Sequence, residues 1–311
     1  LRIFNTIFDF ESSKNTVVTI GTFDGVHKGH RHILKKVTAI AESKKLGSTV
    51  LTFFPHPRMV LQPGSNLKLI NTIEERELLL AQSGIENLII HPFSVEFSRT
   101  AAHEYVKNIL VDQLKAKVVV IGYDHRFGRN RSASIEQLNE YAAAYDFEVI
   151  EISKEEVEEV AVSSTKVRDA ITDGNMVTAT KYLEQPYFLT GAVVSGKKIG
   201  RTLGYPTANL QLKESYKLVP KNGVYITSSV INGNVVHGIT NIGTNPTVQS
   251  AGEQTIETYY LDFNKDLYGE QLVLQFHKRL RSEQKFDTMD QLVQAMNGDA
   301  QNARNYVNDL G

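Results

Sequence analysis

The chain has 311 residues, 41% of them hydrophobic, which is enough for two domains with separate cores. Its formal net charge is −1, and Lys and Arg are scattered among Asp and Glu, so no electrostatic surface for nucleic acid is expected. It has neither cysteine nor tryptophan, which excludes disulfides and thiolate metal centres and leaves Tyr or Phe to stack on any planar ligand.

Along the first 180 or so residues, short β-branched runs alternate with amphipathic stretches. "TVVTI" (16–20) precedes a helix whose Ile33, Leu34, Val37, Ile40 and Ala41 share one face. "STVLTFF" (48–54), a helix opened by Thr72 and Glu75, and "NLII" (87–90) follow. Next come a helix over about 100–114, "KVVVI" (117–121), a helix opened by Ser134 and Gln137, and "FEVIEI" (147–152). This order predicts an α/β domain with a mostly parallel, Rossmann-like sheet covered on both faces. Around "YLEQPYF" (182–188) the rhythm changes to strands broken by Gly, Asn and Pro: "YFLTGAVV", "GVYITSSVI", "VVHGITNI", "TIETYYLDF" and "QLVLQFHKRL". Asn232-Gly233 predicts a type I′ hairpin. Thr288 and Gln291 open a last helix with Met289, Leu292, Val293 and Met296 on one face. The second half therefore reads as an antiparallel β-barrel with a C-terminal helix. The expected domains are 1–183 and 184–311. No run is long enough to span a bilayer and no basic-then-apolar leader opens the sequence, so the expected compartment is the cytoplasm.

Three polar clusters follow strands of the first half directly, "GTFDGVHKGH" (21–30), "PHPR" (55–58) and "GYDHRFGRNR" (122–131), and a fourth, "VSSTKVR" (162–168), stands at the start of a helix. In an open parallel sheet, ligands sit beyond the carboxyl ends of the strands, so clusters on one rim predict a nucleotide site. Gly21 permits the turn off the strand and Gly29 lets phosphate approach the backbone. His27 and His30 can donate hydrogen bonds to charge developing in phosphoryl chemistry. They could also be two metal ligands, although no third ligand accompanies them at helical spacing. Ser163, Ser164 and Thr165 begin a helix, where unpaired N–H groups favour phosphate; taken alone they are ordinary N-caps.

In the second half, "GAVVSGKK" (191–198) nearly spells a P-loop but lacks the Ser or Thr for Mg²⁺ and sits on a strand pattern with no helix after it. In "GKKIGRTLGYPTANL" (196–210), Thr207 and Asn209 lie two apart on an extended segment and point the same way. Two oxygen-bearing side chains on one face suit Mg²⁺. Glu257, among apolar and aromatic neighbours, is either a wet-face residue of a half-buried strand or the matching carboxylate.

"GTFDGVHKGH" resembles the H-x-G-H signature of nucleotidylyltransferases. Together with "FFPHPR", "GYDHRFG" and "VSSTKVRDAI", and then "GRTLGYPTANL", "NIGTNPT", "ETYYLDF", "DLYGE" and "LRSEQKFD", it resembles the bacterial bifunctional riboflavin kinase/FMN adenylyltransferase family (FAD synthetase, prokaryotic type). The match covers nearly the whole chain. The resemblance implies a nucleotidylyltransferase domain that moves AMP from ATP onto FMN, releasing pyrophosphate and FAD. It also implies a barrel that makes FMN and ADP from riboflavin and ATP; both steps use Mg²⁺. His27 and His30 would hold the ATP phosphates, with Gly21, Phe23, Asp24 and Gly29 around the nucleotide. Ser164, Thr165 and Arg168 would grip pyrophosphate, and His56, Asp124 and Phe127 would face the flavin. In the barrel, Glu257 would be the general base, with Gly196, Gly200, Thr207 and Asn209 at the nucleotide and Thr207 and Asn209 at the metal, inside the barrel. His125 stands where an aromatic residue is usual, which leaves its role open, and Tyr259 stands where His is common. A kinase with an inactive or redox-dependent adenylylation domain is the alternative.

Overall fold

The structure is a computed structural model that describes residues 1–62, 64–122, 126–129, 133–153, 162–196, 205–244 and 254–309. It divides into two compact units, Leu1–Ser164 and Thr165–Gly311.

In the first unit, β1 (Arg2–Phe4), β2 (Thr16–Ile20), β3 (Gly47–Phe53), β4 (Asn87–His91), β5 (Ala116–Gly122) and β6 (Glu148–Ile152) form one sheet in the order β1-β4-β3-β2-β5-β6. Every pairing is parallel. Strand alternation sends successive residues to opposite faces, and both faces are dry. Val18, Leu51, Ile89, Val119 and Ile121 enter one core, while Val17, Val118, Val120 and Ile152 enter the other. Helix α1 (Lys28–Lys44) covers the second face with Val37 and Ala41, flanked by Ile33 and Ile40. Leu34 and Val37 are fully buried, each contributing roughly 2 kcal/mol.

Short α2 (Pro57–Leu61) follows β3, and α3 (Ile73–Ala81) precedes β4. The capping box expected at Thr72 and Glu75 is formed: Glu75 N–H donates to Thr72 Oγ1 at 3.2 Å and Thr72 N–H to Glu75 Oε2 at 3.0 Å. The helix expected over 100–114 begins as α4 (Ala102–Glu104) and continues in π-winding over Tyr105–Gln113, where Leu114 N–H reaches back to Ile109 O. Helix α5 (Ile135–Tyr145) leads to β6.

Two helices, α6 (Ser164–Thr172) and α7 (Met176–Leu183), come before the barrel, α7 burying Met176, Ala179 and Leu183. Strands β7 (Tyr187–Val194), β8 (Thr207–Leu212), β9 (Gly223–Ile231), β10 (Asn234–Thr244), β11 (Gln254–Tyr260) and β12 (Gln271–Arg281) close in the order β10-β11-β8-β7-β12-β9. All neighbours are antiparallel. The β9–β10 turn places Asn232 at φ 50° and Gly233 at φ 79°, the left-handed pair that a type I′ turn requires. Helix α8 (Met289–Asn308) packs Ala300 and Ala303 onto Val224, Ile226 and Ile239 of the barrel's outer face. Met289 is exposed, so the expected apolar face of α8 is carried by Leu292, Val293 and Met296 without it. Inside, buried Thr227, Thr240 and Thr258 form a hydroxyl ladder with 2.8 Å steps.

Candidate functional site

The sheet of the first unit reverses its order at β2: β3 lies on one side and β5 on the other. The loop leaving β2 therefore opens at the switch point where α/β sheets take ligands. Before reaching α1 it passes through three left-handed residues, Phe23 (φ 48°), Gly25 (φ 94°) and Val26 (φ 39°). For the phenylalanine and the β-branched valine this costs on the order of 1–3 kcal/mol each, so the surroundings must hold them. Val26 and Phe23 are buried, and the Phe23 ring lies against Gly21, where a Cβ would stand 3.1 Å from it. Asp24, 0% exposed, accepts N–H groups of Ile70 (3.1 Å) and Asn71 (3.2 Å), lies 4.0 Å from the Arg76 guanidinium, and offers its carbonyl to the Ser164 hydroxyl at 2.9 Å.

That loop delivers His27 as the N-cap of α1. Its Nδ1 accepts the His30 N–H at 3.4 Å, and the two rings stack with centroids 3.7 Å apart and planes 17° apart. A Cβ at Gly29 would come within 3.2 Å of the His27 ring, so glycine gives the imidazole its place over the first turn. Phe23 flanks His30 at 5.0 Å. Burial, the stacked His27 and the Arg76 charge push the His30 pKa well below 6.5, leaving the ring neutral at pH 7. Among the described residues, His30 Nδ1 and the Nε and Nη2 atoms of Arg31 are buried and make no hydrogen bond. Arg31 was not among the expected site residues; only its position beside His30 hinted at it.

The structure thus gathers Gly21, Phe23, Asp24, His27, Gly29, His30 and Ser164. Asp24 is an anchor beneath the loop and not part of an open surface. Thr165 and Arg168 follow Ser164 on α6. His56, at the end of β3, caps α2 by accepting the Arg58 N–H at 3.1 Å. Phe127 lies in the hydrophobic core with its ring 5.9 Å from Tyr105. Asp124, His125 and Gly200 are outside the described residues.

In the barrel, registry does the gathering. Glu257 sits directly opposite Asn209 of β8 on one side and Asn241 of β10 on the other, and Thr207 opposite Tyr259. Directly opposed antiparallel residues share a face, and this face also carries Ile239 and Tyr259 beneath α8. The expected location inside the barrel is therefore corrected: strand alternation turns Thr258 and Thr240 inward and Glu257, Asn209 and Thr207 onto the outer wall.

Two cavities meet there. One of 530 Å³ is lined by Gly196, Thr207, Asn209, Tyr260, Phe263 and Asp266 among others. The other, of 240 Å³, has Glu257 and Asn241 beside Ile239, Tyr259, Phe286 and Met296. Thr207 lines both. A Cβ at Gly196 would fall 2.2 Å from the Asn209 amide, so that amide occupies space only glycine leaves. Arg281 of β12 holds Asp299 of α8 through Nε (3.1 Å) and Nη2 (2.7 Å), tying the helix to this wall. Tyr205 donates to Asn297 of α8 and meets Tyr259 edge-on at 4.8 Å.

Among the described residues, no three His, Asp or Glu side chains are grouped to hold a metal, and no helix is long and apolar enough to cross a membrane. The FAD synthetase family model matches residues 9–166 and the riboflavin kinase family model residues 183–307. A Listeria monocytogenes protein named bifunctional riboflavin kinase/FMN adenylyltransferase is 36% identical, over 93% of this chain and 92% of its own. The protein of that name from Bacillus subtilis is 34% identical, over 96% and 95%. A solved structure from Streptococcus pneumoniae, titled as a macrolide-efflux protein, superposes with a TM-score of 0.89 at 35% identity, covering 97% of this chain and 98% of that one. One family model falls on the parallel-sheet half, the other on the barrel half, and relatives carrying both align almost end to end: the chain belongs to the bifunctional riboflavin kinase/FMN adenylyltransferase family.

Proposed function

We infer that the chain makes FMN from riboflavin and ATP at the outer wall of its barrel, and FAD from FMN and ATP at the loop between β2 and α1. In the first reaction the ribityl 5′-hydroxyl loses its proton to Glu257, its oxygen bonds to the γ-phosphorus of ATP, and the bond to the β,γ-bridging oxygen breaks to release ADP. The mostly apolar 240 Å³ cavity suits the flavin end, with Glu257 at its polar side. The larger, 530 Å³ cavity, with Thr207 and Asn209, suits ATP. Thr207 and Asn209 offer hard oxygen donors facing a carboxylate, a set that fits Mg²⁺ completing its shell with water and phosphate oxygens. When bound there, the ion neutralises phosphate charge.

In the second reaction an FMN phosphate oxygen bonds to the α-phosphorus of ATP and the α,β-bridging bond breaks, releasing pyrophosphate with no covalent enzyme intermediate. Charge grows on the bridging oxygen, where His27 and His30 donate. The observation that carries this half is the set of buried atoms without hydrogen bonds, His30 Nδ1 and Arg31 Nε and Nη2, at the N-terminus of α1. Such atoms cost about 1–3 kcal/mol each when left alone, more for a charged group, and an entering polyphosphate satisfies them.

The test is to supply riboflavin, ATP and Mg²⁺ and follow FMN and FAD, then to supply FMN and ATP and follow pyrophosphate, under air and under reductant. Both products are expected. Formation of neither FMN nor FAD would overturn the reading, and FMN without FAD in either atmosphere would leave a kinase alone.

A further inference from the structure

We propose that Arg76 is a positioning residue for adenylylation: paired with Asp24, it fixes the loop that seats His27 and His30. The inference rests on the adenylylation reading above.

Arg76 sits in the first turn of α3, whose geometry is set by the Thr72–Glu75 capping box and by Arg76 N–H donating to Thr72 O at 3.0 Å. Leu79 and Leu80 bury the same helix against the unit. The guanidinium is thus presented from a rigid support. It is 0% exposed, as is the Asp24 carboxylate 4.0 Å away. A buried ion pair is a weak source of stability, but this one stands at a place where something must be held. Asp24 is flanked by left-handed Phe23, Gly25 and Val26, and it also gathers the Ile70 and Asn71 N–H groups and the Ser164 hydroxyl around the loop. Val26 leads directly into the His27 cap, so relaxation of the strained residues would carry the His27–His30 stack out of place. Arg76 is also felt at His30 itself. That ring stacks on His27 beside the Phe23 ring, and burial first, then His27 and Arg76, oppose its protonation.

The 311-residue chain is the material for the test, with the melting of the first unit as the measure that it is folded and riboflavin phosphorylation as the measure for the barrel. Arg76→Met should lower kcat for FAD formation by about 10²-fold, the scale of displacing catalytic groups by about 1 Å, with the KM for ATP changed far less. The His30 imidazole resonance should titrate closer to 6.5. Arg76→Lys, which keeps the charge, should restore most of kcat and the wild-type titration. An undiminished kcat in Arg76→Met overturns the proposal. So does equal loss in both variants with an unmoved His30 titration, which would mark mere packing. Should Arg76→Met fail to fold its own unit, Arg76→Lys decides: near-wild-type kcat supports the proposal and a lost kcat overturns it. FAD formation undiminished in His30→Ala would remove the site reading and this inference with it. A silent Arg76→Met beside an inactive His30→Ala would overturn this inference alone.

Discussion

His30 folds into a setting that resists its own charge, and that has a measurable sign. Because its folded pKa lies below the value of about 6.5 in an unfolded chain, the unfolded state binds the extra proton first as pH falls. Stability contributed by the neutral ring is therefore intact above about 6.5 and is lost as pH drops below it. Thermal melts of the first unit between neutral and mildly acidic pH should show that loss, and His30→Ala should reduce it, leaving the part due to His91, whose pKa burial also lowers. In the barrel, Glu257→Gln should cut riboflavin phosphorylation by about 10²–10⁴-fold, with riboflavin binding and the conversion of FMN to FAD retained. Unchanged turnover would take the base role from Glu257. Gly196→Ala sets a methyl group 2.2 Å from the Asn209 amide; it should raise the KM for ATP in that half-reaction by about tenfold, a displacement penalty near 1.4 kcal/mol. The placing of His27 beside His30, and of Thr207 and Asn209 on one face, was legible because their spacing is local. The burial of Arg76, and of two guanidinium nitrogens of half-buried Arg31, was not, since a charged residue on a helix reads as solvated until a distant strand or loop covers it, and Phe127, within a polar motif, lies in the core.

Elements whose pattern is local came out nearly as written. Strands β2, β7 and β9 have the expected bounds, the Asn232-Gly233 hairpin pairs Ile231 with Asn234, and α3 opens on its predicted cap. The misses have physical causes. Three-residue β1 is too short to show a period, and the π-winding of Tyr105–Gln113 keeps an apolar face that reads as an ordinary helix. Met289 lies in the first turn of α8, where it is exposed, while the deepest burial falls on Asp299, Ala300 and Ala303. Thr72→Ala removes the α3 cap and should cost about 1 kcal/mol, or about 3 °C in a unit of this size, read from the melting of the first unit. Asp299→Ala removes the partner of Arg281 and should cost about 3 kcal/mol, loosening α8 from the wall that bears Glu257. Weaker riboflavin binding in isothermal titration would register it.

The molecule as a whole divides its cores between two separate units, the first with one on each face of its sheet and the second with one on the barrel wall beneath α8. Separate cores predict two melting transitions, and mass action predicts that each responds to its own ligand. Riboflavin should raise the barrel transition and inorganic pyrophosphate the other, each by about 2.7 kcal/mol at a hundredfold excess over Kd. A single transition moved by both would contradict this. The closed barrel also differs from the sheet in what it leaves bare. All six of its strands are bonded on both sides, whereas β1 and β6 end the sheet. Strand β6 is blunted by exposed Glu148, which pairs with Lys44, and by Glu151; β1 presents exposed Ile3. Clumping on prolonged heating should therefore begin by strand addition along β1, and a charge placed at Ile3 should delay turbidity while leaving both syntheses untouched.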